Sequence, residues 1–152
     1  MRSLSVAAGD WDDIVLAMPR PHLLQSAVWG AVKARAGWSV HRMVWGRPGS
    51  EWTGAQPLVR SVAAGSLRLA YVPRGPILRA SEDPAAWAEV LAGLVSWARR
   101  LGLVAVKVDP GLPRRHGEVA RAWARLGWRP VVQEVQLPNT MVSDLTSGEE
   151  GL

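Results

Sequence analysis

The hydrophobic positions of this 152-residue chain change period several times, and each change marks an element. The clearest stretch is helical. Between Asp83 and Gly102, Trp87, Val90, Leu91, Leu94, Val95, Ala98 and Leu101 recur three and four residues apart, which puts them on one stripe of a helix. Asp83 supplies the N-cap and Gly102 the stop. Pro84 suits the first turn, where a backbone N–H would have no partner in any case. A shorter amphipathic pattern runs from about His116 to Leu126, with Val119, Trp123 and Leu126 on one face and Gly127 after it. Gln25 to Ala36 is helix-friendly, with Ser26 as N-cap and Gly37 as C-terminal stop.

Elsewhere the period is that of strands. Trp38 to Trp45 is rich in β-branched and aromatic residues, and Arg47-Pro48-Gly49-Ser50 is a turn after it. Trp52 to Val62 predicts the second strand of the same hairpin, with Pro57 demanding an edge, a bulge or a break in pairing. Leu67, Leu69 and Tyr71 alternate with Arg68 and Ala70, the mark of a half-buried strand. Leu103 to Val108 is a short apolar strand closed by Asp109-Pro110-Gly111, and Trp128–Val132 and Val135–Val142 predict two more. Helix, three strands, helix, strand, helix, two strands is the order of an α+β or mixed α/β layer, with a largely antiparallel sheet flanked by helices.

Composition narrows the chemistry. Hydrophobic residues are 48% and charged residues 20%, the balance of a packed domain rather than a disordered chain. No apolar run is long enough to cross a bilayer, and Gly9, Asp10, Asp12 and Asp13 interrupt the N-terminus where a secretory signal would need an apolar core. A cytoplasmic location is the default expectation. Cysteine is absent, which excludes disulfides, thiolate metal sites and cysteine nucleophiles. His22, His41 and His116 are scattered without the spacing of a zinc site. The Asp10/Asp12/Asp13 group is a helix start. The formal charge of +5 suits an anionic partner such as tRNA, a nucleotide or a phospholipid face, and equally suits an arginine-rich proteome. Nine tryptophans and no phenylalanine mean that indoles fill the large aromatic core positions.

Three segments carry more than pattern. The stretch His22-Leu23-Leu24-Gln25-Ser26-Ala27-Val28-Trp29-Gly30-Ala31-Val32-Lys33 resembles the opening signature of the FemA/FemB/FemX family. Tyr71-Val72-Pro73-Arg74-Gly75-Pro76-Ile77 resembles its tyrosine-to-Arg-Gly-Pro segment. Gln136-Leu137-Pro138-Asn139-Thr140, then Asp144-Leu145-Thr146 and Glu149-Glu150, is similar to the stretch leading into the second half of these proteins. The resemblance implies a domain like those of GCN5-related N-acetyltransferases, one of two in the family. It implies an aminoacyltransferase that moves an amino acid from aminoacyl-tRNA to the stem peptide of a peptidoglycan precursor, building the cell-wall interpeptide bridge. The acceptor is nucleotide-linked or lipid-linked, the latter with peripheral contact at the inner membrane face, and no metal or organic cofactor is needed. On this reading residues 1–142 form the first acetyltransferase-like domain. Residues 143–152 begin the connection to a second, and the isolated chain is expected to lack transferase activity.

Aminolysis of an ester needs a deprotonated amine, an orienting frame and stabilisation of the oxyanion. Gln25, Trp29 and Lys33 are one turn apart on the predicted helix and share a face. The resemblance implies that Lys33 holds the precursor's phosphates, with Trp29 beside it; a solvated lysine at a helix end and a packing tryptophan are the plainer readings. Tyr71, Arg74 and Gly75 lie at a strand end, where a guanidinium can grip a phosphate with two hydrogen bonds and a glycine admits a ligand close to the backbone. The alternative is a rigid turn with Tyr71 in the core and Arg74 on the surface. Leu78-Arg79-Ala80 stands before Glu82 and Asp83, so no catalytic carboxylate carries over from the family, and the catalytic residues stay unassigned. Lys107 and Asp109 end a strand and suit an ordinary salt-bridged terminus. Two rival functions stand beside this one. A CoA-dependent N-acetyltransferase would need an Arg/Gln-x-x-Gly-x-Gly/Ala loop between a strand and a following helix; Arg99-Arg100-Leu101-Gly102-Leu103-Val104 fails at its last position and follows a helix. A non-catalytic module that binds a nucleotide-linked precursor or RNA is the other.

Overall fold

The computed structural model describes residues 4–46, 53–79, 83–111, 117–131 and 135–136. Strand β1 (Leu4–Ser5) leads into helix α1 (Ala8–Leu16), a short 3-10 turn (Leu23–Gln25) and helix α2 (Ala27–Arg35). Strands β2 (Ser39–Val40), β3 (Met43–Trp45), β4 (Thr53–Ala55), β5 (Leu58–Val62), β6 (Leu67–Pro73) and β7 (Ile77–Leu78) follow. Helix α3 (Pro84–Arg100), strand β8 (Ala105–Asp109) and helix α4 (Gly117–Arg125) complete the order.

The strands form two sheets of four, in the orders β1-β3-β4-β7 and β2-β5-β6-β8. Every pairing is antiparallel except β6 with β8, which run parallel across the α3 crossover. The chain changes sheet five times, and two of these changes break an expected strand. The expected strand 38–45 breaks at His41-Arg42, where the His41 N–H donates to Pro57 O and the Val6 N–H to Arg42 O. The expected strand 52–62 breaks at Gln56-Pro57, because proline has no N–H to continue a ladder. Both breaks lie side by side, so the hairpin opens into two sheets.

The caps follow the sequence. Ser26 Oγ accepts from the Trp29 N–H at 3.1 Å and Asp83 Oδ1 from the Ala85 N–H at 2.8 Å, while Gly37 and Gly102 take positive φ after α2 and α3. Among the aspartates of α1, Asp12 Oδ1 accepts from the Ala27 N–H at 2.7 Å, a second cap on α2. One face of both sheets carries the main core. Met43, Trp45, Ala55, Val59, Ala70 and Val72 meet the α3 stripe of Trp87, Val90, Leu91, Leu94, Trp97 and Ala98, and Val119 of α4 joins them. On the other face of the first sheet Trp11, Val15 and Met18 close over Ile77. Trp128–Val131, expected to be a strand, is irregular, and Trp128 packs in the Trp87–Trp123–Trp128 ring cluster instead. Residues 132–134 and 137–152, which hold most of the other late strand and the acidic helix opening expected after it, lie outside the described residues. Among the described residues no helix is long and apolar enough to cross a membrane.

Candidate functional site

The first sheet is covered on both faces. The second is covered by α3 and α4 on one face, while α2 reaches over only part of the other. Alternation along β6 sends Ala70 and Val72 into the α3 core and leaves Leu69, Tyr71 and Pro73 on the open side. A cavity of about 490 Å³ lies there, in the size range of small-molecule sites. Its wall is apolar, with Leu58, Leu69 and Trp38 among the lining residues, and its polar groups are Lys33, Tyr71, Lys107 and Gln136.

The strand pairing explains which polar groups meet. Tyr71 stands opposite Lys107 and Pro73 opposite Asp109 in the parallel β6–β8 ladder. The Tyr71 hydroxyl donates to Asp109 Oδ2 at 3.2 Å and accepts from Gln136 Nε2 at 3.3 Å. Burial pushes the phenol up to about 12; Asp109 adds to the rise, while the Gln136 hydrogen bond and Arg74 oppose it. Tyr71 is therefore a neutral donor at physiological pH, not a base. From α2, Lys33 Nζ lies 4.7 Å from the centroid of the Trp29 ring, a cation–π contact that holds the ammonium on the cavity rim. Trp29 Nε1 is buried with no partner among the described residues.

Two buried glutamines fix α2 to both sheets. Gln25 and Gln56 are fully inaccessible. Gln25 Nε2 donates to Pro73 O at 2.6 Å and Gln25 Oε1 accepts from the Gln56 N–H at 2.8 Å, while Gln56 Nε2 donates to Ser26 O at 2.8 Å. The Trp11 indole N–H donates to the Gln25 carbonyl. These bonds replace the ladder lost at Gln56-Pro57, and they set the start of α2, hence Trp29 and Lys33, against the Tyr71 end of β6.

Of the five residues singled out from sequence, Lys33, Trp29 and Tyr71 line one cavity. Arg74 does not. At the end of β6 it takes a left-handed φ of 49° and lines a separate hollow of about 120 Å³ with Arg20, His22 and Trp87. Burial, and after it the Arg74 guanidinium, hold the His22 imidazole below its usual value, against an opposing pull from Asp109. His22 Nδ1 accepts from the Leu24 N–H at 3.1 Å. Gly75 is buried, and a Cβ there would stand 2.8 Å from the Gln25 side chain. The close approach at Gly75 is thus made by Gln25. Sequence reading gave Lys107 and Asp109 to a plain strand end and passed over Trp38, Gln136 and the role of the two glutamines. Only the parallel register, which sequence spacing does not reveal, aligns Lys107 with Tyr71.

The sequence profile of the FemAB family matches residues 8–121, from the start of α1 into the first half of α4, and takes in every residue of the cavity except Val131, Val135 and Gln136. The chain belongs to the FemAB family. Its fold is similar to that of FemX, with a TM-score of 0.71 and 26% identity over 84% of this chain; the match spans 32% of FemX. Proteins of similar length share the fold at lower identity. The TTHA1254 protein of Thermus thermophilus matches at a TM-score of 0.55 and 21% identity, over 93% of this chain and 100% of that one. An acetyltransferase from Trypanosoma brucei matches at 0.58 and 14%, over 91% and 99%. A search of curated proteins gave no match. The mixed α/β, acetyltransferase-like fold expected from the sequence is the one observed.

Proposed function

We propose that this FemAB chain binds the acceptor of a peptidoglycan bridge-forming aminoacyltransferase, with the cavity between α2 and the second sheet as the acceptor site. The observation that carries this reading is the place of Lys33, held by Trp29 on the rim of an apolar cavity that Tyr71 closes at depth. A muropeptide precursor, nucleotide-linked or lipid-linked, carries a diphosphate and a sugar. Lys33 and Lys107 suit the diphosphate, and the Tyr71 hydroxyl and Gln136 amide suit the polar groups beside it. In the reaction the stem-peptide amine attacks the ester carbonyl of an aminoacyl-tRNA. The N–C bond forms, the ester C–O bond breaks, and the tRNA hydroxyl leaves with the amine's proton. Residues of this chain contribute by orienting the acceptor. Asp109 is engaged by Tyr71, so we assign no general base.

Because the match spans 32% of FemX, the reading given to this chain is acceptor recognition, and transfer by the 152 residues alone is not expected. Turnover of charged tRNA and a muropeptide by this chain would overturn that division. A CoA-dependent reaction finds no support at either end of α3. Its N-terminus, where a pyrophosphate would sit, is occupied by the Asp83 carboxylate. The Arg99-to-Val104 segment is its C-terminal end, where the dipole repels anions. Calorimetric titration with a nucleotide-linked muropeptide tests the proposal. Binding by the parent chain and a loss of about tenfold or more in Lys33→Ala, or roughly 1.4 kcal/mol, is the expected result. No binding, or equal affinity in the variant, would refute it.

A further inference from the structure

The cavity and the hollow lined by Arg74 are consecutive steps along the same two strands. Pro73 lines the cavity, and Arg74, the next residue, lines the hollow. On β8, Lys107 lines the cavity, while Pro110 and Gly111 just past the strand line the hollow. The parallel register sets Pro73 opposite Asp109, so both strands pass from one site to the other at the same level. Asp109 lines neither and stands at the boundary. Its carboxylate accepts from Tyr71 of the cavity, and Pro110 of the hollow follows it. Two guanidiniums and an imidazole, those of Arg20, Arg74 and His22, line the hollow, and no carboxylate does among the described residues. Much of the remaining wall is apolar, with Ile77, Leu78 and Trp87 buried.

Gln25 ties these groups together. His22 caps the 3-10 turn that ends in Gln25, whose amide donates to Pro73 O beside Arg74. Because His22 Nδ1 accepts from the Leu24 N–H, the neutral ring keeps its hydrogen on Nε2. Burial, and after it the Arg74 guanidinium, favour that neutral form against the pull of Asp109, which leaves His22 a donor. Arg74 itself takes a left-handed φ of 49°, which glycine would adopt without steric cost. A charged side chain held on such a backbone points to a use for that side chain.

We propose that the hollow binds a carboxylate of the acceptor's stem peptide, gripped by Arg20 and Arg74 with His22 donating beside them. A carboxylate is planar, and it turns two oxygens to a guanidinium fork and carbon to an apolar wall. A phosphate carries oxygens on every side and would bury one against Ile77, Leu78 or Trp87 without a partner. A volume of about 120 Å³ is well below that of a whole small-molecule site and suits one group of a longer ligand. The transferred amino acid's own carboxyl is tied up in the tRNA ester, whereas the stem peptide carries free ones. This site deepens the acceptor reading and rests on it: with the diphosphate on Lys33 and Lys107, the peptide runs past Asp109 towards Arg74.

Calorimetry with three ligands tests the assignment: a nucleotide-linked muropeptide, the same muropeptide with its peptide carboxylates amidated, and a nucleotide diphosphate sugar without peptide or carboxylate. The parent chain should bind all three, the amidated form about tenfold more weakly than the acid. Arg20→Gln and Arg74→Gln should each erase that preference yet hold the other two ligands within about twofold. Arg74→Lys, which keeps the charge but not the fork, should recover part of it. Arg20 is exposed, so its variant keeps the test open if the turn at Arg74 does not tolerate glutamine. Equal affinity for acid and amidated forms, or variants that weaken all three ligands alike, would overturn the carboxylate site. Loss of the nucleotide sugar in Lys33→Ala would in that case leave the acceptor reading standing. Inorganic phosphate abolishing the preference where acetate does not would overturn the choice of carboxylate. No binding of either the muropeptide or the nucleotide sugar would remove the acceptor reading, and this site with it.

Discussion

The two sheets are threaded by the same stretches of chain yet differ in almost everything that matters for a binding site. In the first, β3, β4 and β7 are closed between α1 and α3, and Met43, Trp45, Ala55, Ile77 and Leu78 are all buried. In the second, alternate residues of β6 and β8 stay on an open face, and the polar ends of that face gather Tyr71, Lys107 and Asp109. The difference arises at two adjacent interruptions, His41-Arg42 and Gln56-Pro57, where the strands leave one sheet for the other. One continuous sheet under one helix layer would have no reason to hold a cavity. Splitting it lets half the strands serve as scaffold while the other half is left uncovered. The joint then needs hydrogen bonds that a ladder cannot give, and Gln25 and Gln56 make them.

Removing the joint should therefore cost the most. Gln25→Ala deletes two buried side-chain hydrogen bonds, strands Pro73 O and the Gln56 N–H without partners, and leaves a hole against Gly75. The expected loss is about 3 kcal/mol, a fall in melting temperature of about 6–12 °C for a domain of this size. Thermal unfolding by circular dichroism reads it. A change within about 2 °C would mean that the sheets hold together without the glutamine. Gln56→Ala should cost less, about 1–2 kcal/mol, because it forfeits one side-chain donor bond and also removes a buried carbonyl, Oε1, that has no partner among the described residues.

A second substitution separates scaffold from site. Gly93 of α3 faces the Trp45 indole of the first sheet so closely that a Cβ would lie 2.9 Å from Cε2 and overlap Nε1. Gly93→Ala gains helix propensity but must displace a buried ring, for a net loss of roughly 1–2 kcal/mol. If the first sheet is scaffold alone, muropeptide affinity measured well below the melting temperature should stay within about twofold, a free-energy change of under ~0.5 kcal/mol. A large loss of affinity in Gly93→Ala would show that the two sheets are not separable in this way.

Much of this architecture is legible in the sequence because local rules and tertiary demands agree. The α3 stripe, the Asp83 and Ser26 caps and the Gly37 and Gly102 stops are each set within a few residues, and the structure keeps them. Pro57 announces a break, though not that the chain changes sheets there. What stays hidden depends on distant partners. Gln25 and Gln56 are polar residues in an apolar interior, and nothing local distinguishes them from surface glutamines. Lys107 joins Lys33 and Tyr71 on the cavity only through the crossover that sets β8 parallel to β6. Arg74 and Gly75 part company with the other three residues for a local reason. Their motif invites a ligand, but the left-handed turn at Arg74 leads the chain away from the cavity, and Gln25 fills the space at Gly75.

The smallest effect probes the open sheet alone. The chain has one tyrosine, so its ionisation can be followed by absorbance near the phenolate band without ambiguity of assignment. Burial, with Asp109 adding to it, holds Tyr71 up at about 12, against an ordinary value of 10.0. The raised value sets the sign. Between these values the unfolded chain gives up the tyrosine proton while the folded chain retains it, so Tyr71 stabilises the fold below pH 10 and that contribution fades as pH climbs towards 12. Asp109→Asn removes both the negative charge and the strong acceptor. The midpoint should then move down while the melting temperature at neutral pH changes little, since the pair is only partly buried. A midpoint that begins near 10 in the parent chain would mean that Tyr71 is not buried in solution, and one that does not move in Asp109→Asn would mean that the Tyr71–Asp109 pair does not form. The cavity would then lose the neutral donor assigned to its depth, whereas the first sheet and the glutamine joint would stand unchanged.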